Sequence, residues 1–162
     1  MVRVTRSRVV EEPTDPDVDL SVPAQRAERA RVLWPVVTAV AIGAMCGSAA
    51  RYGAALIWPT PVAGFPWTTL VVNVSGCALI GVFMVVITDV WTAHRLIRPF
   101  VGTGILGGFT TFSTYAVDIE RLVDAGRART GMAYLVVTLF AALAAVWTAV
   151  WVTRRVVAWR QS

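Results

Sequence analysis

Residues 98–118 read RPFVGTGILGGFTTFSTYAVD, a run from Arg98 to Asp118 with no charged side chain between its ends. About 20 helical residues cross a hydrocarbon core of about 30 Å, so the run is long enough to span a membrane. Its filling is unusual for that task. A lipid-facing helix is built from Leu, Ile and Val, whereas this run is crowded with Gly, Thr, Ser and aromatics, so it must face protein, water or an ion. Within it, GGFTTFST sets two glycines, which cost a helix backbone entropy, beside β-branched residues of low helix propensity. That combination predicts a break. Carbonyls freed by a break must be satisfied inside the membrane, and a hard cation does so in transporters with discontinuous helices.

Working outward, the 162 residues are 56% hydrophobic and only 15% charged, with a mean hydropathy of +0.63. That is too apolar for a soluble domain of this size, so the bilayer is the solvent. Four apolar stretches are each long enough to cross it, near Leu33–Ile57, Thr68–Thr88, Pro99–Val117 and Thr130–Thr153. A soluble bundle of four buried helices would need a polar face on each, and none of the four shows charges at helical spacing. The expected fold is an all-α membrane protein of four transmembrane helices. Residues 33–153 form the membrane domain, 1–32 a charged, disordered cytoplasmic tail, and 154–162 a short basic C-terminal tail. The N-terminal tail is too long and too acidic for the charged region of a signal peptide, so the first apolar stretch is read as a retained anchor.

All fifteen basic residues are arginines. With four spans, eleven of them fall on the side of the termini and of Arg95 and Arg98, against Arg51, Arg121, Arg127 and Arg129 on the other. The positive-inside rule then makes the termini cytoplasmic in a multi-pass protein of the cell membrane. The pI near 10.2 therefore reflects topology and anionic lipid headgroups. Nucleic-acid binding is disfavoured, because no basic cluster is interleaved with base-stacking aromatics. Cys46 and Cys77 both fall inside spans and read as small packing residues. The connector Asp118, Glu120, Arg121, Asp124, Arg127 and Arg129 reads as a solvated helix end and turn.

Four spans enclose little on their own, so a polar pathway is expected between subunits, where small residues allow backbones to approach. The small residues are Gly43 and Gly47, Gly76 and Gly81, and Gly104 and Gly108. The competing reading is that they tighten packing within one subunit. Asn73 sits mid-span in TTLVVNVSGCALIG, where an amide is costly unless hydrogen-bonded. Either it makes an interhelical bond worth roughly 0.6 to 2 kcal/mol, or it lines a polar path.

The combination of IGAMCGSAARYG, FPWTTLVVNVSGCALIG and GTGILGGFTTFSTYAVD resembles the bacterial fluoride channel family called Fluc or CrcB, over about residues 36–153. The resemblance implies small four-helix subunits that pair antiparallel as a dual-topology dimer, conduct fluoride passively through two pores and hold a structural sodium ion at the dimer centre. It implies that the main-chain carbonyls of Gly107 and Thr110, at the break in the third helix, bind Na⁺, a hard cation suited to backbone oxygens. It makes Phe112 and Tyr115 the pair of pore aromatics, with Ser113 and Thr114 as the polar step between them. Asn73 matches the pore asparagine and Arg51 an arginine near a vestibule. Tyr134 and Thr138 match a polar track, whose next position, often a hydroxyl in relatives, is Ala142 here. Tyr115 carries a phenol oxygen that either adds a donor or narrows the path.

The chemistry of these residues suits a small, strongly hydrated anion. Hydroxyls, an amide and the electropositive edges of aromatic rings supply positive potential without a fixed charge, so the ion is bound and still released. The expected function is a fluoride-selective channel subunit that lets the membrane potential drive fluoride out of the cell and so limits its toxicity. The arginine imbalance points to one preferred orientation and a heterodimer with an oppositely oriented homologue, with a homodimer as the alternative. Two other readings are a non-conducting partner subunit and a small proton-coupled multidrug exporter. The exporter needs an intramembrane carboxylate, and Asp89 and Asp118 lie at span ends. An enzyme is not expected: the single histidine, His94, lies in a short loop, and the glycines of GTGILGG neither follow a strand nor open a βαβ unit.

Overall fold

The computed structural model describes residues 23–61, 64–91 and 94–161. The expected tail therefore lies, over residues 1–22, outside the described residues. The chain divides into two units, Met1–Trp34 and Pro35–Ser162. In the first unit the described part is helical from Pro23.

The described residues are helical, with no strand among them. Helix α1 (Pro23–Ile57) stops where Pro59 and Pro61 deny the chain helical donors. Helix α2 (Trp67–Val85) follows Pro66 and runs on into a π-wound turn, Val86–Val90. A second π-wound segment, Arg98–Leu106, leads into the short helix α3 (Gly107–Phe109). Helix α4 (Ser113–Asp124) and helix α5 (Ala128–Gln161) complete the chain. Gly126, at φ 71°, ends α4: its N–H reaches Val123 O at 2.9 Å and the Arg127 N–H reaches Leu122 O at 2.7 Å. This paired capping closes the last turn through the left-handed conformation that glycine adopts at no steric cost.

Among the described residues, three helices are long and apolar enough to cross a membrane: Arg31–Ile57, Trp67–Val90 and Ala128–Arg160. The remaining apolar stretch is divided among several elements. Its backbone is helical at Gly107, with φ −66° and ψ −36°, and leaves helical geometry at Thr110, where ψ is 158°.

Glycines set the helix spacing inside this chain. A Cβ on Gly43 would fall on Phe100 O, and one on Gly108 would lie 2.9 Å from Ala44 Cα. The pairs Gly43/Gly47 and Gly104/Gly108 thus meet each other between α1 and the third stretch. Gly81 does the same for α2 against α5, with Val146 O 2.9 Å from the position of its absent Cβ. The core is thin: Leu70, Val72, Val85, Leu106, Leu122 and Tyr134 are buried, while Met45, Phe140, Leu143 and Trp147 are exposed on α1 and α5. An apolar exterior around a small polar-containing interior is the arrangement a lipid solvent requires.

Candidate functional site

At Thr110 the helical hydrogen-bond ladder is redirected. A continuous helix would send the Thr111 N–H to Gly107 O and the Thr114 N–H to Thr110 O. Instead the Thr111 N–H donates to Asn73 Oδ1 at 2.8 Å, and Asn73 Nδ2 donates to Thr111 O at 2.9 Å. The Thr114 N–H goes to Thr111 Oγ1 at 3.1 Å, a side-chain cap for the start of α4. Gly107 O and Thr110 O, the two carbonyls named from the sequence, thereby lose their helical donors to side chains. Between them, Gly108 O accepts from Ser48 Oγ and from Arg51 Nε, each at 3.3 Å. The donor set at Gly107 and Thr110 is two hard main-chain oxygens, which fits an alkali cation. Gly107 is exposed in this chain.

Beside the redirected backbone lies a cavity of about 520 Å³. Of the residues named from the sequence, it is lined by Asn73, Thr110, Phe112, Tyr115 and Thr138, with Ala142 also in its wall. Phe112 is 80% exposed. Its ring centroid lies 5.8 Å from that of Tyr115, which lies 5.2 Å from that of Tyr134. The Tyr115 hydroxyl donates to Leu135 O at 2.9 Å, so its proton is committed to α5. Ser113 and Thr114 lie outside the cavity lining, with both side chains turned to Thr111 Oγ1, at 3.3 and 3.1 Å. Tyr134 is fully buried, and among the described residues its hydroxyl and that of Thr138 have no hydrogen-bond partner. Arg51 lies apart from this cavity, half-buried against Gly108.

Some of the site escaped sequence reasoning. Cys77, read as a packing residue, lines the cavity, as does Thr111. Asp118, expected in a solvated connector, is instead 6% exposed, and its Oδ2 accepts from Thr69 Oγ1 at 2.7 Å. The available signal is its register: Asp118 follows Thr114 and Tyr115 by one helical turn and shares their inward face. The proximity of the partner hydroxyl on α2 has no local signature.

Residues 38–150 match the family model described as CrcB-like protein, Camphor Resistance (CrcB). The "Fluoride-specific ion channel FluC 1" of Streptomyces coelicolor is 66% identical over 82% of this chain and 86% of its own. In Streptomyces avermitilis, "Fluoride-specific ion channel FluC 2" is 64% identical over 77% of this chain and 79% of its own. The same organism has "Fluoride-specific ion channel FluC 3", 44% identical over 72% of this chain and 57% of its own.

Proposed function

This chain belongs to the CrcB-like family, and from that membership we propose that it is a subunit of a fluoride-specific channel in the cell membrane. The observation that carries the reading is the cavity beside Thr110. It gathers amide and hydroxyl groups from Asn73, Thr111 and Thr138 with the rings of Phe112 and Tyr115, and no charged side chain is among its lining residues. Such a lining offers an anion the second N–H of the Asn73 amide and the aromatic ring edges, and no fixed charge strong enough to hold it. The Thr138 hydroxyl, in the cavity wall on α5, is a further donor. A passive path suffices for efflux, because an inside-negative potential is worth about 2.3 kcal/mol per charge per 100 mV.

The interrupted third stretch is then the membrane's fourth crossing, broken at Thr110. Gly107 O and Thr110 O would hold a structural Na⁺, which would meet the negative ends of carbonyls whose helical donors go to side chains instead. Exposure of Gly107 and of the apolar faces of α1 and α5 supports a dimer in which the second copy, oppositely oriented, closes the cavity and the cation site. The eleven-to-four arginine imbalance favours termini on the cytoplasmic side and a homologous partner. The occurrence of FluC 2 and FluC 3 in one Streptomyces species supports a homologous partner.

The test is fluoride efflux from loaded liposomes containing the purified chain alone, read with a fluoride electrode and with chloride as control. Selective fluoride efflux is the expected result if the chain pairs with itself. Efflux only after co-reconstitution with a second homologue would establish the heterodimer, and equal chloride flux would overturn the channel assignment.

A further inference from the structure

A second cavity, of about 650 Å³, lies where the π-wound end of α2 meets the start of the third stretch, and it shares no residue with the cavity beside Thr110. Its wall is apolar at Ile87, Val90 and Trp91 and basic at Arg95 and Arg98. Val90 and Trp91 are more than half exposed, at the end of a helix long and apolar enough to cross a membrane. The one carboxylate in the lining, Asp89, is already matched from α5: its Oδ2 lies 3.6 Å from Arg154 Nε. Arg155, next along α5, lies over the Trp151 ring at 5.3 Å. Arg95 and Arg98 pair with no carboxylate among the described residues. Two guanidinium groups in no ion pair among the described residues therefore border an apolar wall at one end of a spanning helix.

We propose that this cavity binds the headgroup phosphate of an anionic phospholipid. Arg95 and Arg98 present the planar, multiply donating groups that phosphate oxygens accept from, and guanidinium holds such oxygens in two-point contact. Val90 and Trp91 supply a surface along which an acyl chain lies, and an exposed tryptophan at a helix end suits the membrane–water boundary. Free phosphate uses the arginines and leaves the apolar wall unfilled, which is why a lipid is the occupant. The site is independent of what the chain conducts.

Native mass spectrometry of the purified full-length chain, titrated with phosphatidylglycerol or phosphatidylcholine, reads the binding directly. Phosphatidylglycerol is expected to be retained in preference, and the double variant R95Q/R98Q to lower its retention by about 30-fold, the factor for two basic side chains at a membrane surface. R127Q/R129Q removes the same charge elsewhere and is expected to leave retention within a few fold. Equal loss in both double variants would reduce the effect to general electrostatics and overturn the site. Displacement of the lipid by inorganic phosphate alone would do the same. A second measurement uses the unaltered chain in vesicles of phosphatidylcholine, with or without an equal part of phosphatidylglycerol. The anionic lipid should slow phenylglyoxal labelling of Arg95 and Arg98 but not of Arg129, and unchanged labelling would refute the proposal.

Discussion

The carboxamide of Asn73 grips both main-chain polar atoms of Thr111, donating to its carbonyl at 2.9 Å and accepting from its N–H at 2.8 Å. One side chain on α2 thus replaces two backbone partners that a helix would have supplied. The interhelical bond and the polar lining, alternatives at the level of sequence, are one feature here. Asn73→Ala leaves a donor and an acceptor unpaired, at about 1–3 kcal/mol for each buried group. Thermal unfolding of the purified variant is expected to fall by that scale, whereas Thr111→Ser, which keeps the backbone and the hydroxyl cap, stays near the parent. Equal melting of Asn73→Ala and the parent would show that the clasp does not hold the segment.

Helix spacing gives a sharper contrast, because two glycines on α1 meet opposite surroundings. A Cβ on Gly47 would fall on Ile105 O and lie 2.8 Å from Phe109 N, whereas a Cβ on Gly53 meets nothing within 4 Å. Gly47→Ala should cost about 1–3 kcal/mol through forced backbone movement. Gly53→Ala should gain about 0.5–1 kcal/mol by relieving helix entropy. Denaturation curves in one detergent compare the two directly.

Much of the fold is written in hydropathy. The start of α2 follows from where apolar residues begin, and three of the four apolar stretches coincide with long helices, but α5 runs past the apolar stretch through Arg154, Arg155 and Arg160 to Gln161. The role of the glycines was less legible. Gly107 and Gly108 are helix-weakening residues by propensity, yet Gly107 keeps helical dihedrals, and Gly108 serves close approach to Ala44. The backbone departs at Thr110, next to the β-branched Thr111. Which partner absorbs the freed groups could not be read, because Asn73 and Thr111 are 38 residues apart. The same holds for Arg51 and Gly108, separated by 57, a pairing set by the packing of α1.

Thr69 and Asp118 test whether a buried carboxylate is part of the architecture. Thr69 donates to Asp118 Oδ2 at 2.7 Å, while Arg121, largely exposed, stands at 3.9 Å from the other oxygen. A screened ion pair at that distance is worth little, so the hydroxyl is the partner that matters. Thr69→Val strips the carboxylate of its donor and should destabilise by about 1–3 kcal/mol. Asp118→Asn retains an acceptor for Thr69 without a charge to desolvate, and should be milder. The reverse order of melting temperatures would assign the energy to Arg121 instead.

Tyr115 separates structural from conductive roles at the cavity. Its proton is used on Leu135 O, so the phenol oxygen offers the cavity lone pairs and no donor. Lone pairs repel an anion, and what attracts one is the ring edge, which phenylalanine supplies equally well. Tyr115→Phe should therefore cost about 0.5–1.5 kcal/mol of stability and leave fluoride efflux equal to the parent or higher. Phe112 is the opposite case: at 80% exposure its truncation removes little packing, so Phe112→Ala should melt within about 0.5 kcal/mol of the parent. An aromatic edge worth about 0.5–1.5 kcal/mol corresponds to a loss of about 2- to 10-fold in efflux rate. Liposome efflux and unfolding measured on the same preparations distinguish the two residues. Abolished efflux in a folded Tyr115→Phe channel would mean that the hydroxyl turns from Leu135 to the ion during passage.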